Sequence, residues 1–388
     1  MLASGWHPAP LREFVLKVHS RCDLACDYCY VYRFADQRWR TQPRTMTSHV
    51  AELTAGRIAE HVRDHRLTRI RVILHGGEPL LRTPDDLAAV VTRVRRAVGP
   101  AVTVDASVQT NGVRLSEDYL RAFDQAGVRV GVSLDGDAAD HDRHRRGPDG
   151  RGSHAAVTAA IRLLTSPRYR HLFGGLLCVI DPRTDPAGVY RSLSDLDPPM
   201  IDFLLPHGHW SSPPPGREAG DAATPYADWL ITVFDLWYGA SAPPPPVRLL
   251  ESIVHTLLGG GPAVQGIGLG PVQTVVVETD GTIEQGDVLK TSRAGTTRST
   301  LNVASAAFDR VLLSPPVVAQ QLGPLALAPV CRSCDLRRTC GGGQYAHRYR
   351  DGAGFANPSV YCPDLYRLIS HIRRRLRDDL TGRGGVAG

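Results

Sequence analysis

Short apolar runs alternate with amphipathic stretches from about residue 12 to residue 205. Each apolar run is nearly continuous, as in strands that are buried on both faces of a parallel sheet. The stretches between the runs repeat apolar residues at helical spacing, which predicts helices that cover the sheet. The predicted strands are FVLKVH, RIRVILH, VTVDASV, VRVGVSL, FGGLLCVI and IDFLLP. Six βα units of this kind predict an α/β fold built on a partial (β/α)6 TIM-like barrel.

Several element boundaries carry their own signals. Thr47 and Ser48 are candidate N-caps of the first helix, and Pro84 followed by two acidic residues opens the next. A helix from about Tyr226 to Tyr238 lies between two proline-rich breaks, SSPPPG and SAPPPP. The last predicted helix packs on the barrel through an apolar stripe of Leu365, Leu368, Ile372 and Leu376.

These boundaries predict how the 388 residues divide into domains. We expect a barrel over residues 1–240, a linker or bridging helix over 241–262, and a C-terminal α+β domain over 263–380. The tail at 381–388, which contains GRGGVAG, is predicted to be disordered.

Cys22, Cys26 and Cys29 form a C-x3-C-x2-C triplet directly after the first predicted strand. Three thiolates can hold three irons of a four-iron cluster and leave the fourth iron open to an outside ligand. A zinc site would need a fourth cysteine or histidine nearby, and the close candidate, His19, lies within the strand. Disulfides do not fit three cysteines in a chain without a secretory signal. The triplet therefore predicts an iron-sulfur cluster with one open position.

Composition narrows the class of protein. The N-terminal MLASGWHPAP lacks the basic and apolar regions of a signal peptide, and no run reaches the roughly 20 apolar residues of a membrane span. Eight cysteines without such a signal indicate metal ligation in a reducing compartment. The net charge of +6 comes with scattered arginines rather than one basic stripe. We therefore expect a cytoplasmic protein that binds neither nucleic acid nor membranes.

The second predicted strand runs directly into Gly76, Gly77, Glu78 and Pro79. Two glycines let the backbone approach a ligand closely, and the Glu78 carboxylate with the loop carbonyls can accept hydrogen bonds from an ammonium group. Taken alone, GGEP is also an ordinary turn.

Together, the cysteine triplet and GGEP resemble the radical S-adenosylmethionine (SAM) superfamily. The resemblance implies that SAM chelates the open iron, that GGEP holds its amino group, and that its cleavage gives a 5′-deoxyadenosyl radical. It also implies that Tyr28 contacts adenine, that Ser133 contacts ribose, and that Arg145 in HDRHRRG pairs with the SAM carboxylate. Ser133 can instead cap a turn, and Arg145 can belong to a solvated basic run. His207, after the sixth strand, is expected to contact SAM or an aromatic ring of the substrate.

A second group of cysteines lies near the C-terminal end of the sequence: Cys331, Cys334, Cys340 and Cys362. Four thiolates close a cluster completely, but the spacing also fits a zinc ribbon, so zinc and iron-sulfur both stay open. The group resembles the SPASM extension of peptide-modifying radical SAM enzymes, which implies one auxiliary 4Fe-4S cluster. A full SPASM domain has seven cysteines. Such a domain holds two auxiliary clusters, an outer one and an inner one. In this chain Gln344 stands where the family has another cysteine, and the segment from Gly266 to Lys290 contains no cysteine. We therefore expect the outer cluster alone.

Longer stretches, including CDYCYVYR, VVVETDGTIEQGDVLKT and CGGGQYAHRYR, resemble the FxsB-type branch of radical SAM/SPASM peptide maturases. This resemblance implies a cyclophane, in which an aromatic ring carbon is bonded to the β-carbon of a nearby residue in a ribosomally made precursor peptide. An electron donor of the flavodoxin or ferredoxin type is implied as a second partner. Asp287 resembles an acidic residue that acts as the base in related maturases, although an aspartate there can simply stabilise a turn.

Two other functions stay open at this point. The first is another radical SAM peptide oxidation, such as the formylglycine-type maturation of sulfatases. The second is a metal-binding module without enzymatic activity, in which GGEP is a coincidence. For the peptide itself, we expect an extended segment to bind at the β segment around Val275 to Glu278 and in the cavity between the domains, by strand addition. Cys178 lies in a buried strand and is predicted to be a core residue.

Overall fold

The computed structural model describes residues 6–218, 221–261, 264–297 and 299–383. It contains the six predicted parallel strands and two later ones. The strands are Glu13–His19 (β1), Arg69–Gly76 (β2), Thr103–Thr110 (β3), Val128–Ser133 (β4), Phe173–Val179 (β5), Ile201–Leu204 (β6), Thr274–Val277 (β7) and Ile283–Glu284 (β8). The last residues of the predicted tail, 384–388, lie outside the described residues.

All eight strands belong to one sheet with the order β6-β5-β4-β3-β2-β1-β7-β8. Every neighbouring pair from β1 to β6 is parallel, so the predicted βα core is confirmed. β7 continues the sheet in parallel on the other side of β1, and β8 returns antiparallel to β7. The C-terminal part of the chain therefore extends the sheet of the N-terminal part.

Helices follow the strands and continue into the C-terminal part of the chain. They are Ser48–Asp64 (α1), Pro84–Val98 (α2), Glu117–Ala126 (α3), Ala138–His144 (α4), His154–Leu164 (α5), Pro186–Ser194 (α6), Pro225–Tyr238 (α7), Arg248–Leu257 (α8), Asp309–Leu312 (α9), Pro315–Gln321 (α10), Pro329–Arg332 (α11), Arg337–Cys340 (α12) and Cys362–Arg383 (α13). None of the described helices is long and apolar enough to cross a membrane.

Local sequence explains where the first helices begin. The Thr47 hydroxyl accepts a hydrogen bond from the backbone N–H of Val50 at 3.2 Å, so Thr47 rather than Ser48 is the N-cap of α1. Thr83 caps α2 in the same way, and Pro84 takes the first helical position, where its missing N–H costs nothing.

The position of β7 limits the expected strand addition near Val275 to Glu278. β7 is hydrogen-bonded to β1 along its whole length and to β8 at Val276 and Val277. Both edges are therefore paired at these two residues, which leaves an added peptide strand no free backbone groups there.

The C-terminal helix α13 is docked by a buried ion pair. The Asp364 carboxylate accepts hydrogen bonds from the backbone N–H groups of Tyr226 and Ala227, both at 3.0 Å, and so caps the start of α7. Its other oxygen pairs with the guanidinium of Arg217, and both side chains are almost fully buried. The predicted apolar stripe of α13 is buried as well, at Leu365, Leu368, Ile372 and Leu376.

Removal of the Asp364 carboxylate is expected to destabilise the fold strongly. In Asp364→Ala, the buried Arg217 charge loses its partner and α7 loses its cap, so the free energy of unfolding should fall by about 3–5 kcal/mol. Denaturant unfolding followed by circular dichroism measures this. The exposed Asp378 on the same helix is the matched control, since Asp378→Ala should change stability by less than about 0.5 kcal/mol. Equal stability of the two variants would contradict this account of helix docking.

Candidate active site

The three N-terminal cysteines lie on the loop that follows β1, at the carboxyl end of the sheet. The backbone N–H groups of Tyr32 and Arg33 donate to the carbonyl of Cys29 at 3.2 and 2.9 Å, which folds the loop into a compact turn. Burial raises the pKa of the thiols of Cys22, Cys26 and Cys29. Metal ligation is the usual way in which buried thiolates are stabilised.

The GGEP loop is joined to the cysteine loop through the backbone. Gly77 N–H donates to the carbonyl of His19, and Glu78 N–H donates to the carbonyl of Arg21, both at 2.8 Å. A Cβ at Gly76 would collide with the His19 carbonyl, and one at Gly77 would collide with the Arg21 carbonyl and the Tyr32 hydroxyl. Both glycines are therefore required for the close contact between the two loops.

The Glu78 side chain is used inside the protein. Its carboxylate accepts hydrogen bonds from the hydroxyl of Thr110 at 2.6 Å and from the backbone N–H groups of Leu80 at 2.9 Å and Asn111 at 2.8 Å. Burial raises the pKa of this carboxyl to about 7, although the three donors oppose the shift. The carboxylate thus ties the end of β2 to the end of β3. Both of its oxygens are engaged by the protein itself.

Tyr28, Asp135 and Arg145 form a buried group beside Cys26. Arg145 donates to the Tyr28 hydroxyl at 2.7 Å, and Tyr28 donates to the Asp135 carboxylate. The guanidinium Nε of Arg145 is buried and has no hydrogen-bond partner among the described residues. A buried arginine with an unused donor fits a carboxylate ligand such as that of SAM.

The segment that leads to Arg145 is helical. HDRH belongs to the short helix α4, because the Asp137 side chain accepts hydrogen bonds from the backbone N–H groups of Ala139 at 2.9 Å and Asp140 at 3.0 Å. Arg145 directly follows this helix and is buried, so it does not belong to a solvated basic run.

Ser133 is the last residue of β4, at the same end of the sheet. The Gln109 amide on β3 donates to its hydroxyl at 3.1 Å. The hydroxyl therefore takes part in a contact between strands at the position from which the ribose contact is expected.

Asp287 lies in a buried cluster of charges that joins β1 to the segment after β8. Its carboxylate pairs with the ammonium of Lys17 and, at 2.9 Å, with that of Lys290, and the Tyr30 hydroxyl donates to it at 2.8 Å. Burial alone would raise the pKa of this carboxyl, but Lys17 and Lys290 outweigh burial and hold the pKa well below its usual value. Asp287 is therefore an ionised carboxylate that lies beside Lys17 of β1.

Lys290 is shared by three carboxylates. Its ammonium also pairs with Glu278, just beyond β7, and with Glu284 of β8 at 3.0 Å. The oxygens of these two residues and of Asp287 lie within 4.8 Å of one another, as in a metal site, but the lysine already supplies the cation. Burial raises the pKa of Glu284 to about 7, while Lys290 and Arg38 oppose the shift.

His207 and His209 have different environments. The His209 ring nitrogens lie 3.2 Å from the carbonyl of Thr291 and 3.2 Å from the backbone N–H of Ser211, so both are used within the fold. His207 has a buried Nδ1 without a partner among the described residues, and its ring packs on Tyr30. Burial lowers the pKa of His207 to about 4, so its ring is neutral near pH 7.

The four C-terminal cysteines lie close together beside Arg348. Burial, together with the nearby charges of Cys362 and Cys331, raises the pKa of Cys340 to about 11. Three sulfurs on one tetrahedral zinc ion are about 3.8 Å apart. Across the described residues, which include all eight cysteines, no three cysteine sulfurs lie within 4.8 Å of one another. In any three of these sulfurs at least one pair is therefore farther apart than 4.8 Å, which exceeds the sulfur spacing on one zinc ion.

The segments that would carry cysteines of an inner cluster pack directly on each other. A Cβ built on Gly266 would lie 3.2 Å from the Cβ of Gln344. The absence of an inner cluster stays a prediction from the sequence.

Sequence reasoning missed the partners of Asp287. The candidate residues did not include the groups that contact Asp287 directly, which are Lys17, Tyr30 and Lys290. They also did not include the nearby carboxylates of Glu278 and Glu284. One signal was present, since a lysine inside the apolar run FVLKVH has to find a buried partner. Cys178, by contrast, is 1% exposed on β5, as a core residue should be.

Comparisons with known proteins agree with this arrangement. A model of the radical SAM superfamily matches residues 16–178. The serine-type anaerobic sulfatase-maturating enzyme of Bacteroides thetaiotaomicron is 24% identical over 381 residues, which cover 94% of this chain and 89% of that protein. The cysteine-type enzyme of Clostridium perfringens strain ATCC 13124 is 24% identical over 384 residues, which cover 95% and 97%.

Solved structures show a similar fold over nearly the whole chain. Native anSMEcpe with bound AdoMet and Cp18Cys peptide has a TM-score of 0.79 at 20% identity, covering 96% of this chain and 100% of that one. Streptococcus suis SuiB bound to its precursor peptide SuiA has a TM-score of 0.59 at 13% identity, covering 93% and 77%. The chain has the radical SAM α/β fold, and the family binds SAM and a 4Fe-4S cluster, as the sequence predicted.

The contact between the GGEP and cysteine loops can be tested with one methyl group. In Gly77→Ala, the added Cβ pushes the cysteine loop away, so we expect the N-terminal cluster to be lost after anaerobic reconstitution, with about four irons remaining per chain instead of about eight. Gly56→Ala is the matched control, because a Cβ there meets no atom within 4 Å. That helical change should keep all the iron and add about 0.5–1 kcal/mol of stability. Full iron content in Gly77→Ala would rule out the required contact.

Proposed function

We propose that this radical SAM enzyme forms a cyclophane in a ribosomally synthesised precursor peptide, by bonding an aromatic ring carbon to the β-carbon of a nearby residue. Asp287 is proposed to take the proton that leaves the ring, and an electron donor of the flavodoxin or ferredoxin type to start the reaction. The observation that carries the proposal is the ionised Asp287 carboxylate held between Lys17 and Lys290.

The strength of this base is compatible with the crosslink. A carboxylate paired with two ammonium groups has a strongly lowered pKa and is a weak base. A weak base is sufficient for a proton whose loss restores an aromatic ring, because that loss is strongly favourable. The same holds for the proton that leaves when an oxidised serine radical becomes a carbonyl. The charge cluster therefore fits the crosslink and serine oxidation alike, and the product has to separate them.

The proposed cofactors fit the residues around them. SAM, bound at the open iron of the cluster on Cys22, Cys26 and Cys29, supplies the 5′-deoxyadenosyl radical that abstracts a hydrogen atom. The unused Nε of Arg145 can hold the SAM carboxylate, and the joined loops can hold its amino group. Tyr28, Ser133 and His207 are proposed as further contacts.

The C-terminal thiols are proposed to hold the auxiliary 4Fe-4S cluster. Their spacing exceeds that of a zinc tetrahedron, and Arg348 fixes the glycine turn that follows Cys340 by donating to the carbonyls of Gly341, Gly342 and Gly343. The proposed domains keep the predicted boundaries, 1–240, 241–262 and 263–380, although β7 and β8 share the barrel sheet.

Sulfatase maturation is the second candidate, and the names of the similar proteins favour it. Both reactions can act on a peptide within the same fold. They differ in product, because serine oxidation leaves a linear peptide whereas the crosslink joins two residues.

The two products can be separated by mass spectrometry. The reconstituted enzyme is incubated with SAM, a reductant and a candidate precursor peptide from its genomic neighbourhood. We expect a product that is two hydrogens lighter than the peptide and that does not fragment between the bridged residues. In Asp287→Asn, 5′-deoxyadenosine should still form, while the crosslink should fall by about 10²-fold or more.

Asp280→Asn is the control for this variant, since Asp280 only caps the β7–β8 turn by accepting from Thr282 N–H at 2.8 Å. It should crosslink normally. A product two hydrogens lighter that fragments as a linear chain would favour serine oxidation. Crosslinking by Asp287→Asn at the wild-type rate would remove Asp287 from the mechanism.

A further inference from the structure

An unbroken row of rings connects the two cysteine groups. The ring centroids of Tyr30 and His207 are 5.1 Å apart, those of His207 and His347 are 5.7 Å apart, and those of His347 and Tyr361 are 5.0 Å apart. Tyr30 directly follows Cys29, and Tyr361 directly precedes Cys362. The row therefore begins next to one cluster ligand and ends next to another.

Each of the two histidines in this row has one ring nitrogen that is unused by the described part of the fold. His207 Nδ1 and His347 Nε2 are buried, and neither has a hydrogen-bond partner among the described residues. Burial of such atoms costs free energy, so a residue without another purpose would ordinarily be replaced by an apolar one. Burial also lowers the pKa of both rings, which keeps them neutral and adds no charge between the clusters.

The outer rings are held in place by hydrogen bonds. The Tyr30 hydroxyl donates to Asp287 at 2.8 Å, and the Tyr361 hydroxyl donates to the carbonyl of Pro206 at 2.6 Å. Tyr361 is fully buried and His347 is 2% exposed. The separations in the row are therefore fixed by packing, which matters because electron tunnelling weakens steeply as gaps open.

We propose that the row Tyr30, His207, His347 and Tyr361 carries an electron between the N-terminal site and the auxiliary cluster at the C-terminal cysteines. It would serve in place of the inner cluster that the sequence is expected to lack. The inference rests on the proposed function for the origin of the electron and on the proposed auxiliary cluster for its acceptor.

The electron balance of the step is complete. When the newly bonded ring radical of the peptide regains aromaticity, it releases one proton and one electron. The proton goes to the Asp287 carboxylate. The electron passes along the row by tunnelling and reduces the oxidised auxiliary 4Fe-4S cluster by one electron. No ring in the row is oxidised, because the rings only provide the tunnelling medium.

The test measures electron transfer directly and needs no peptide. A light flash with a deazaflavin donor injects electrons into the reconstituted enzyme, and rapid freezing with EPR spectroscopy follows their redistribution between the two clusters. His347→Leu removes one ring and also removes an unsatisfied buried nitrogen, so it should fold. His347→Phe is the matched control, because it keeps a ring in the row.

We expect redistribution to be several-fold slower in His347→Leu than in the wild type, and close to the wild-type rate in His347→Phe. If either His347 variant loses a cluster, the same comparison is made between His207→Leu and His207→Phe. Equal rates in the leucine and phenylalanine variants would overturn the inference. The two claims can fail separately. If the peptide is not crosslinked but the redistribution rate still depends on the rings, the proposed function is wrong and the electron path stands.

Discussion

The burial of the Lys17 ammonium at the end of β1 is the constraint on which the arrangement of the site depends. A charge with a side chain only 3% exposed requires a partner, and the partner is Asp287, more than 250 residues later in the chain. This ion pair crosses from the first strand of the barrel to the segment after β8. The hydrogen bonds between β1 and β7 bring the same two parts together. The strand pairing and the ion pair thus support each other.

This constraint has a chemical consequence. Asp287 is held ionised beside the cysteine loop, and Lys290 links it to Glu278 and Glu284, so the carboxylate keeps a fixed position in a buried network. Such a network resists rearrangement because several of its charges share partners, and loss of Asp287 would leave the buried Lys17 ammonium without its carboxylate. The same rigidity extends to Tyr30, whose hydroxyl is fixed by Asp287 and whose ring begins the row that leads to Cys362.

The fold could be predicted from the sequence to a large extent, because its signals are local. All six parallel strands were visible as apolar runs, and the start of α1 was visible in its capping residues. The cysteine loop and GGEP were visible because each follows directly on a strand. The β7–β1 pairing was not visible, since two strands more than 250 residues apart give no local sign that they are neighbours. For the same reason Lys17 and Lys290 were missed as partners of Asp287, and His347 was missed as a neighbour of His207.

The central claim is that one chain holds an open cluster at the N-terminal cysteines and a closed cluster at the C-terminal ones. Anaerobic reconstitution with metal and sulfide analysis tests it most directly, on the wild type and on a triple Cys22→Ala, Cys26→Ala, Cys29→Ala variant. The account predicts about eight irons per wild-type chain and about four in the triple variant, with formation of 5′-deoxyadenosine lost. Zinc at the C-terminal cysteines, or no iron in the wild type, would contradict it.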